Sequence, residues 1–185
     1  LVGIESTNET VLKKMNKQVN LKLGTDSYFD CIQKIHNAGL VVWGSVVFGA
    51  DGDDKDSFKR MTDFILENNI DILTFGINCP FPKTQLYARL DSEKRIFRKN
   101  YPEDWQYYDT AHVVHRFVDM TLEDFIEGMQ YIYDHIYASD NLRTRFRNSI
   151  KTTKNPRNSM FAFRVGSDWK QVFEQVLQNL KELYD

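Results

Sequence analysis

Three turns in the first half of this chain are where chemistry would sit. They are Glu5-Ser6, the stretch Gly49-Ala50-Asp51-Gly52-Asp53, and Pro80-Phe81-Pro82 beside Cys79. Asp51, Asp53, Asp54 and Asp56 crowd the second turn, a composition that suggests calcium. An EF-hand loop needs glycine at its sixth position and glutamate at its twelfth, and counted from Asp51 those are Asp56 and Thr62. The carboxylates read better as caps on a following helix. His112 and His115 would share one face of a helix and bind a metal there. Val113-Val114 between them favours extended backbone, which sends them to opposite faces, and no third ligand follows at a useful spacing. Cys79 alone holds no cluster and reads as a small packed side chain.

Each turn ends an apolar, strand-like run. The runs are Leu1–Glu5, Leu40–Phe48 and Ile70–Ile77, the second nearly continuous, as in a strand buried on both faces. Amphipathic stretches lie between them. One starts at Ser6 or Thr7 and carries Val11, Leu12 and Met15. Another runs from Asp26 or Ser27 to Ala38 with Tyr28, Phe29, Ile32 and Ile35 on a face, and Gly39 stops it. Ser57–Asn68 repeats the pattern, and a short helix is expected over Thr84–Leu90. Strand, loop, helix, strand is the order of parallel sheets and β/α barrels, whose ligands bind at the carboxyl ends of the strands. The expected fold is therefore α/β, a partial β/α (TIM-like) barrel fragment over residues 1–91, with a mostly helical extension over residues 92–185. In the extension, 91–119 reads as irregular. Thr121 and Asp124 open a capped helix, and Trp169, Val172, Phe173, Val176, Leu177, Leu180 and Leu183 form the stripe of a last helix over Asp168–Tyr184.

Composition narrows the classes. The 185 residues are 42% hydrophobic and 14% aromatic, which suits an ordered globular chain. The net charge of −2 gives the whole molecule no pull toward nucleic acid or an anionic membrane. No apolar run approaches the roughly 20 residues that span a bilayer, so no membrane partner is expected. Two cysteines form neither a zinc site nor a disulfide framework, which suits a reducing cytoplasm. From Asn141 to Val165 there are seven Lys or Arg residues and no acid, so Arg143–Arg164 is the place for an anionic partner such as RNA. Charge runs of this kind are otherwise solvated faces.

Taken in order, the strand exits resemble a known family. Gly3-Ile4-Glu5-Ser6 followed by Val11–Lys17 resembles the fourth strand and helix of radical S-adenosylmethionine enzymes. Ser45–Asp53 is similar to their fifth strand and glycine turn, and Pro80–Tyr87 to the exit of the sixth. Trp105, Tyr108-Asp109, His112 and Met120-Thr121 resemble the tail of the subgroup that often carries a cobalamin-binding domain. The resemblance covers roughly the first 130 residues.

It implies a barrel holding a [4Fe-4S] cluster and S-adenosylmethionine at its carboxyl rim, with cobalamin as a further cofactor in the subgroup. The cofactor is cleaved to a 5′-deoxyadenosyl radical, or its methyl group is transferred. By the resemblance Glu5 closes the fourth strand and receives ribose hydroxyls or the methionyl ammonium, and Lys17 pairs with the cofactor carboxylate. Ser45 stands at the ribose position, and Val47 lies under the adenine. The family's CxxxCxxC loop is expected upstream of Leu1, so this stretch alone is not expected to build the cluster or to catalyse. The pattern departs at Asp51 for proline, Asp53 for glutamate and Lys83 for glycine, and a lysine takes positive φ less freely. A small molecule is the expected substrate. The alternative is a non-catalytic α/β interaction or scaffolding module. In either case an open strand edge calls for cover, by the C-terminal helix or by a second copy.

Overall fold

The computed structural model describes residues 1–184, with the side chains of residues 1–182; Leu183 on the last predicted stripe lies outside the described side chains. Three parallel strands form one sheet in the order β1-β2-β3: β1 is Val2–Glu5, β2 Trp43–Phe48 and β3 Ile72–Ile77. Residues α1 (Glu9–Lys14), α2 (Gln18–Leu23) and α3 (Tyr28–Asn37) connect β1 to β2, and α4 (Lys55–Glu67) connects β2 to β3. After β3 come α5 (Gln85–Ser92), α6 (Leu122–Ile136), α7 (Ser139–Thr153) and α8 (Pro156–Tyr184). The α/β class and the helical C-terminal stretch are as the sequence implies. Among the described residues no helix is long and apolar enough to cross a membrane.

Alternation along the strands decides which face does what. Gly44, Val46 and Phe48 are buried, while Trp43, Ser45 and Val47 between them are half-buried. Residues i and i+2 share a face, and β2 pairs in register with β3, so Thr74 and Gly76 lie beside Ser45 and Val47. The Val46 face carries the core: Tyr28 and Ile32 of α3, Phe58, Met61 and Ile65 of α4, Phe125, Met129 and Ile132 of α6, and Phe173, Leu177 and Leu180 of α8. This apolar cluster draws on both sides of residue 92. Phe58 stacks on Phe48 at 5.0 Å and meets Phe125 edge-on at 5.5 Å. Gly128 makes that close approach possible, because a Cβ there would stand 2.2 Å from the Phe58 ring.

Local chemistry sets the helix ends. Asp54 N donates to Ser57 Oγ at 3.1 Å in the capping box of α4. Thr121 and Asp124 bond reciprocally at 2.9 and 3.0 Å to open α6, as predicted. Beyond β3 the chain turns back. Ile77 N donates to Thr110 O at 2.7 Å, so the stretch around Thr110 covers the upper part of that free edge. Within the stretch predicted to be irregular, 95–97 and 114–116 pair antiparallel through Phe97 N to Val114 O and Arg116 N to Arg95 O. Three helices exceed the sequence expectation, the short α2 and the two that follow α6. α7 lies in the basic stretch, and α8 begins at Pro156 instead of Asp168. Proline suits a first helical position, where the missing N–H costs nothing. The two helices then close on small residues, with Ser149 Oγ bonded to Ser159 Oγ at 2.9 Å.

Candidate functional site

β1 and β2 run in register through Val2–Gly44 and Gly3–Ser45, then slip, so that Glu5 stands opposite Val46. The slip is a bulge, a device that re-aims a side chain. Glu5 takes a left-handed φ of 64°, which costs a residue with a Cβ about 1 kcal/mol. From there its Oε1 accepts Lys17 Nζ at 2.8 Å. Lys17 is set by the end of α1. Asn16 is left-handed at φ 56°, Asn16 N donates to Lys13 O, and Lys17 N donates to Leu12 O at 2.9 Å. That is a Schellman stop with asparagine in the glycine place. The Glu5 side chain is 17% exposed and that of Lys17 36%, so the pair stands at the rim, partly out of water. Asn20 of α2 secures the bulge, with Nδ2 2.9 Å from Gly3 O and 2.9 Å from Tyr28 Oη.

A cleft of about 590 Å³ opens beside Lys17 at the carboxyl ends of the strands, a size that suits a small molecule. Its walls are the end of α1 (Lys14, Lys17), the exit of β2 (Ala50, Asp51), the exit of β3 (Asn78) and the start of α5 (Thr84, Gln85, Arg89). Asp51 organises the far wall, since its carboxylate accepts from Arg95 Nη2 at 2.7 Å and from Arg89. Burial opposes its charge, but hydrogen bonds from Arg95 and Arg89 outweigh that and hold the carboxyl at about 2. Asp53 has a different task. Its Oδ2 accepts from Gly49 N at 3.0 Å and Ala50 N at 3.1 Å, closing the glycine turn. Burial pushes this carboxyl up to about 6 despite those two donors. The reading of the four acids as helix caps is thus corrected. Asp54 is the cap and Asp56 sits in the first helical turn, while Asp51 and Asp53 hold loops.

Of the four residues singled out from the sequence, Glu5 and Lys17 are in contact. Ser45 and Val47 share the half-buried face of β2, two residues apart, and among the described residues no hydrogen bond joins Ser45 to the pair. Val47 lines a separate small recess with Ser6, Thr7 and Asn8, and of Glu5, Lys17, Ser45 and Val47 only Lys17 lines the larger cleft. Lys83 adopts φ 67°, so the proline loop keeps the glycine conformation with a lysine in it. His112 bonds Asp109 at 2.9 Å, whereas His115 is buried, with burial lowering its imidazole to about 4. Burial also pushes the Cys79 thiol up to about 11. Among the described residues no group of three His, Cys, Asp or Glu is placed to hold a metal.

A family model described as domain of unknown function DUF4070 matches residues 84–182, more than half of the chain. The chain belongs to the DUF4070 family. This domain occurs in cobalamin-associated radical S-adenosylmethionine enzymes, which agrees with the resemblance read from the strand exits. Among curated relatives, bacteriochlorophyllide d C-12(1)-methyltransferase of Chlorobaculum tepidum is 28% identical over 79% of this chain and 30% of its own length. The C-8(2)-methyltransferase for the same pigment is 27% identical over 85% of this chain and 32% of its own. The hopanoid C-2 methylase of Rhodopseudomonas palustris is 30% identical over 51% of this chain and 18% of its own. The chain thus spans about a third or less of the relatives it matches. The DUF4070 match begins at the α5 wall of the cleft, with Thr84, Gln85 and Arg89, while Glu5, Lys17, Ser45 and Val47 precede it.

Sequence reading missed Asn20, Arg89 and the loop-holding role of Asp51. The available signal was charge. Arg89 and Arg95 follow an acidic turn that has no lysine or arginine of its own before Lys55.

Proposed function

We propose that this chain forms one wall of the S-adenosylmethionine site of a radical S-adenosylmethionine methyltransferase whose methyl acceptor is an apolar polycyclic molecule. The observation that carries this reading is the Glu5–Lys17 pair, whose lysine lines the strand-end cleft. An amino-acid terminus bears an ammonium and a carboxylate, and the pair offers the complement of both. Lys17 Nζ meets the carboxylate as a point charge, and Glu5 accepts from the ammonium. Ser45 offers its hydroxyl to the ribose, and the Val47 methyls lie against the base. S-adenosylmethionine, when bound, supplies an activated methyl group and radical chemistry. The residues of this chain do not fit a [4Fe-4S] cluster, because Cys31 on α3 and Cys79 after β3 are its two cysteines. Cobalamin accords with the family, and no residue here is assigned to it. The polycyclic acceptor rests on the names of the relatives, which act on a chlorophyllide and a hopanoid.

Equilibrium dialysis of labelled S-adenosylmethionine against the protein carrying this chain tests the reading without requiring turnover. Lys17→Ala and Glu5→Gln should each weaken binding by about ten-fold or more, the worth of a hydrogen bond to a charged group. Unchanged affinity in both variants would remove the site, and the non-catalytic interaction module would then stand.

A further inference from the structure

We propose that the α7–α8 hairpin docks this protein on an anionic membrane surface. Of the seven cations between Asn141 and Val165, Arg145 is buried and donates to the Ile70 and Ile136 carbonyls at 2.9 and 2.8 Å. The other six are exposed. On α7, Arg143, Arg147 and Lys151 follow at helical spacing, opposite Arg145, Ser149 and Thr153, which face the packed side, and Lys154 is the left-handed residue that ends the helix. On α8, Arg157, Met160, Phe161 and Arg164 form one stripe, opposite Ser159 and Ala162. Positions i, i+3, i+4 and i+7 of a helix share a face. Met160 is 42% exposed and Phe161 54%, and an arginine stands one turn to either side of them. Asp140 touches this ground, 3.6 Å from Arg143, and Asp168 bounds it one turn beyond Arg164. Among the described residues, Arg147, Lys151, Lys154, Arg157 and Arg164 have no ion-pair partner.

Met160 and Phe161, flanked on the same α8 stripe by the unpaired Arg157 and Arg164, fit the boundary between headgroups and acyl chains. There Met160 and Phe161 enter the interface while the arginines keep their charges at the phosphates. An RNA would use the cations equally well, but it gives Met160 nothing to enter. The net charge of −2 conceals the patch because the acids lie elsewhere in the chain. The inference goes beyond the proposed cofactor site. Vesicle binding is read independently of S-adenosylmethionine, so either proposal can fail alone.

The test is co-sedimentation of the full chain with phosphatidylcholine vesicles, with and without about one third phosphatidylglycerol. Binding is expected with the anionic vesicles only, and it should fade as salt rises from about 0.1 M to 1 M and the screening length falls from about 10 Å to 3 Å. Each cation near such a surface is worth about five-fold in partition, so R157Q with R164Q should lower binding about 25-fold. M160S with F161S should lower it about ten-fold or more at unchanged circular dichroism. Equal binding to both vesicle types, or indifference to both double variants, would overturn the proposal. So would displacement from vesicles by single-stranded RNA whose own binding ignores M160S with F161S, or a dimer in solution that these two substitutions dissolve.

Discussion

Asp53→Asn separates the two things the Asp53 carboxylate does. One oxygen, Oδ2, takes both the Gly49 and Ala50 N–H groups, and an amide oxygen in the same place keeps both bonds. What disappears is a buried charge. The carboxyl rises from 3.8 to about 6, chiefly through burial, which at 1.36 kcal/mol per decade corresponds to about 3 kcal/mol held against the ionised native state. Because the folded protein binds the proton more tightly than the unfolded chain, this contribution falls as pH rises from about 4 to 6. The wild type should therefore gain about 2 kcal/mol from this group on going from about pH 7.5 to pH 4.5, and Asp53→Asn should not. Urea unfolding followed by tryptophan fluorescence at both values reads the difference between the two proteins, which cancels other titrations. Near neutral pH the variant should equal or exceed the wild type, and the gap should move toward the wild type by about 2 kcal/mol in acid. A gap that is the same at both pH values would refute the reasoning. Asp53→Ala, which leaves both N–H groups without their acceptor, should cost about 2 kcal/mol even at neutral pH.

Other consequences can be checked in the same way. Asp51→Ala leaves Arg95, which is 12% exposed, with Glu93 and the Arg116 carbonyl as its remaining partners and should cost about 2 kcal/mol in urea unfolding. Because Asp51 is held at about 2, its stabilisation should persist above pH 4 and be lost as pH falls toward 2. Lys83→Gly relieves a positive φ and should stabilise by up to about 1 kcal/mol in thermal melts. Gly128→Val drives a side chain into the Phe58 ring and should lower stability by about 3 kcal/mol or block soluble expression. His36→Ala leaves Asp71 buried, with Val42 N as its remaining donor, and should cost about 3 kcal/mol in urea unfolding.

The strands were legible because a buried parallel strand writes itself as an apolar run, and Trp43–Phe48 and Ile72–Ile77 are such runs. Thr121 and Asp124 announced α6 through side chains that act within four residues. The Glu5–Lys17 contact was legible as two roles in a resemblance, not as a geometry. It depends on a bulge in β1 and on Asn16 taking a left-handed turn, and neither leaves a periodic mark. The hairpin of α7 and α8 escaped for a related reason. Its internal face is largely Arg145, Ser149, Thr153, Ser159 and Ala162, polar and small apart from the Phe146–Phe163 contact, so no continuous hydrophobic stripe marks α7 or the first turns of α8. Pro156 was the visible clue, a residue that ends one helix and suits the start of the next.

The last helix runs unbroken for 29 residues, about 43 Å at 1.5 Å per residue. Its far half lies on the sheet through Phe173, which meets Phe75 at 4.0 Å, and its near half carries Arg157, Met160, Phe161 and Arg164. A continuous helix with one end seated in the core and the other at the surface fixes an angle as well as a distance. Whatever plane the near half rests on, the strand ends are held at a set tilt and height above it. α8 is thus the gauge by which an outer surface sets the pose of the cleft.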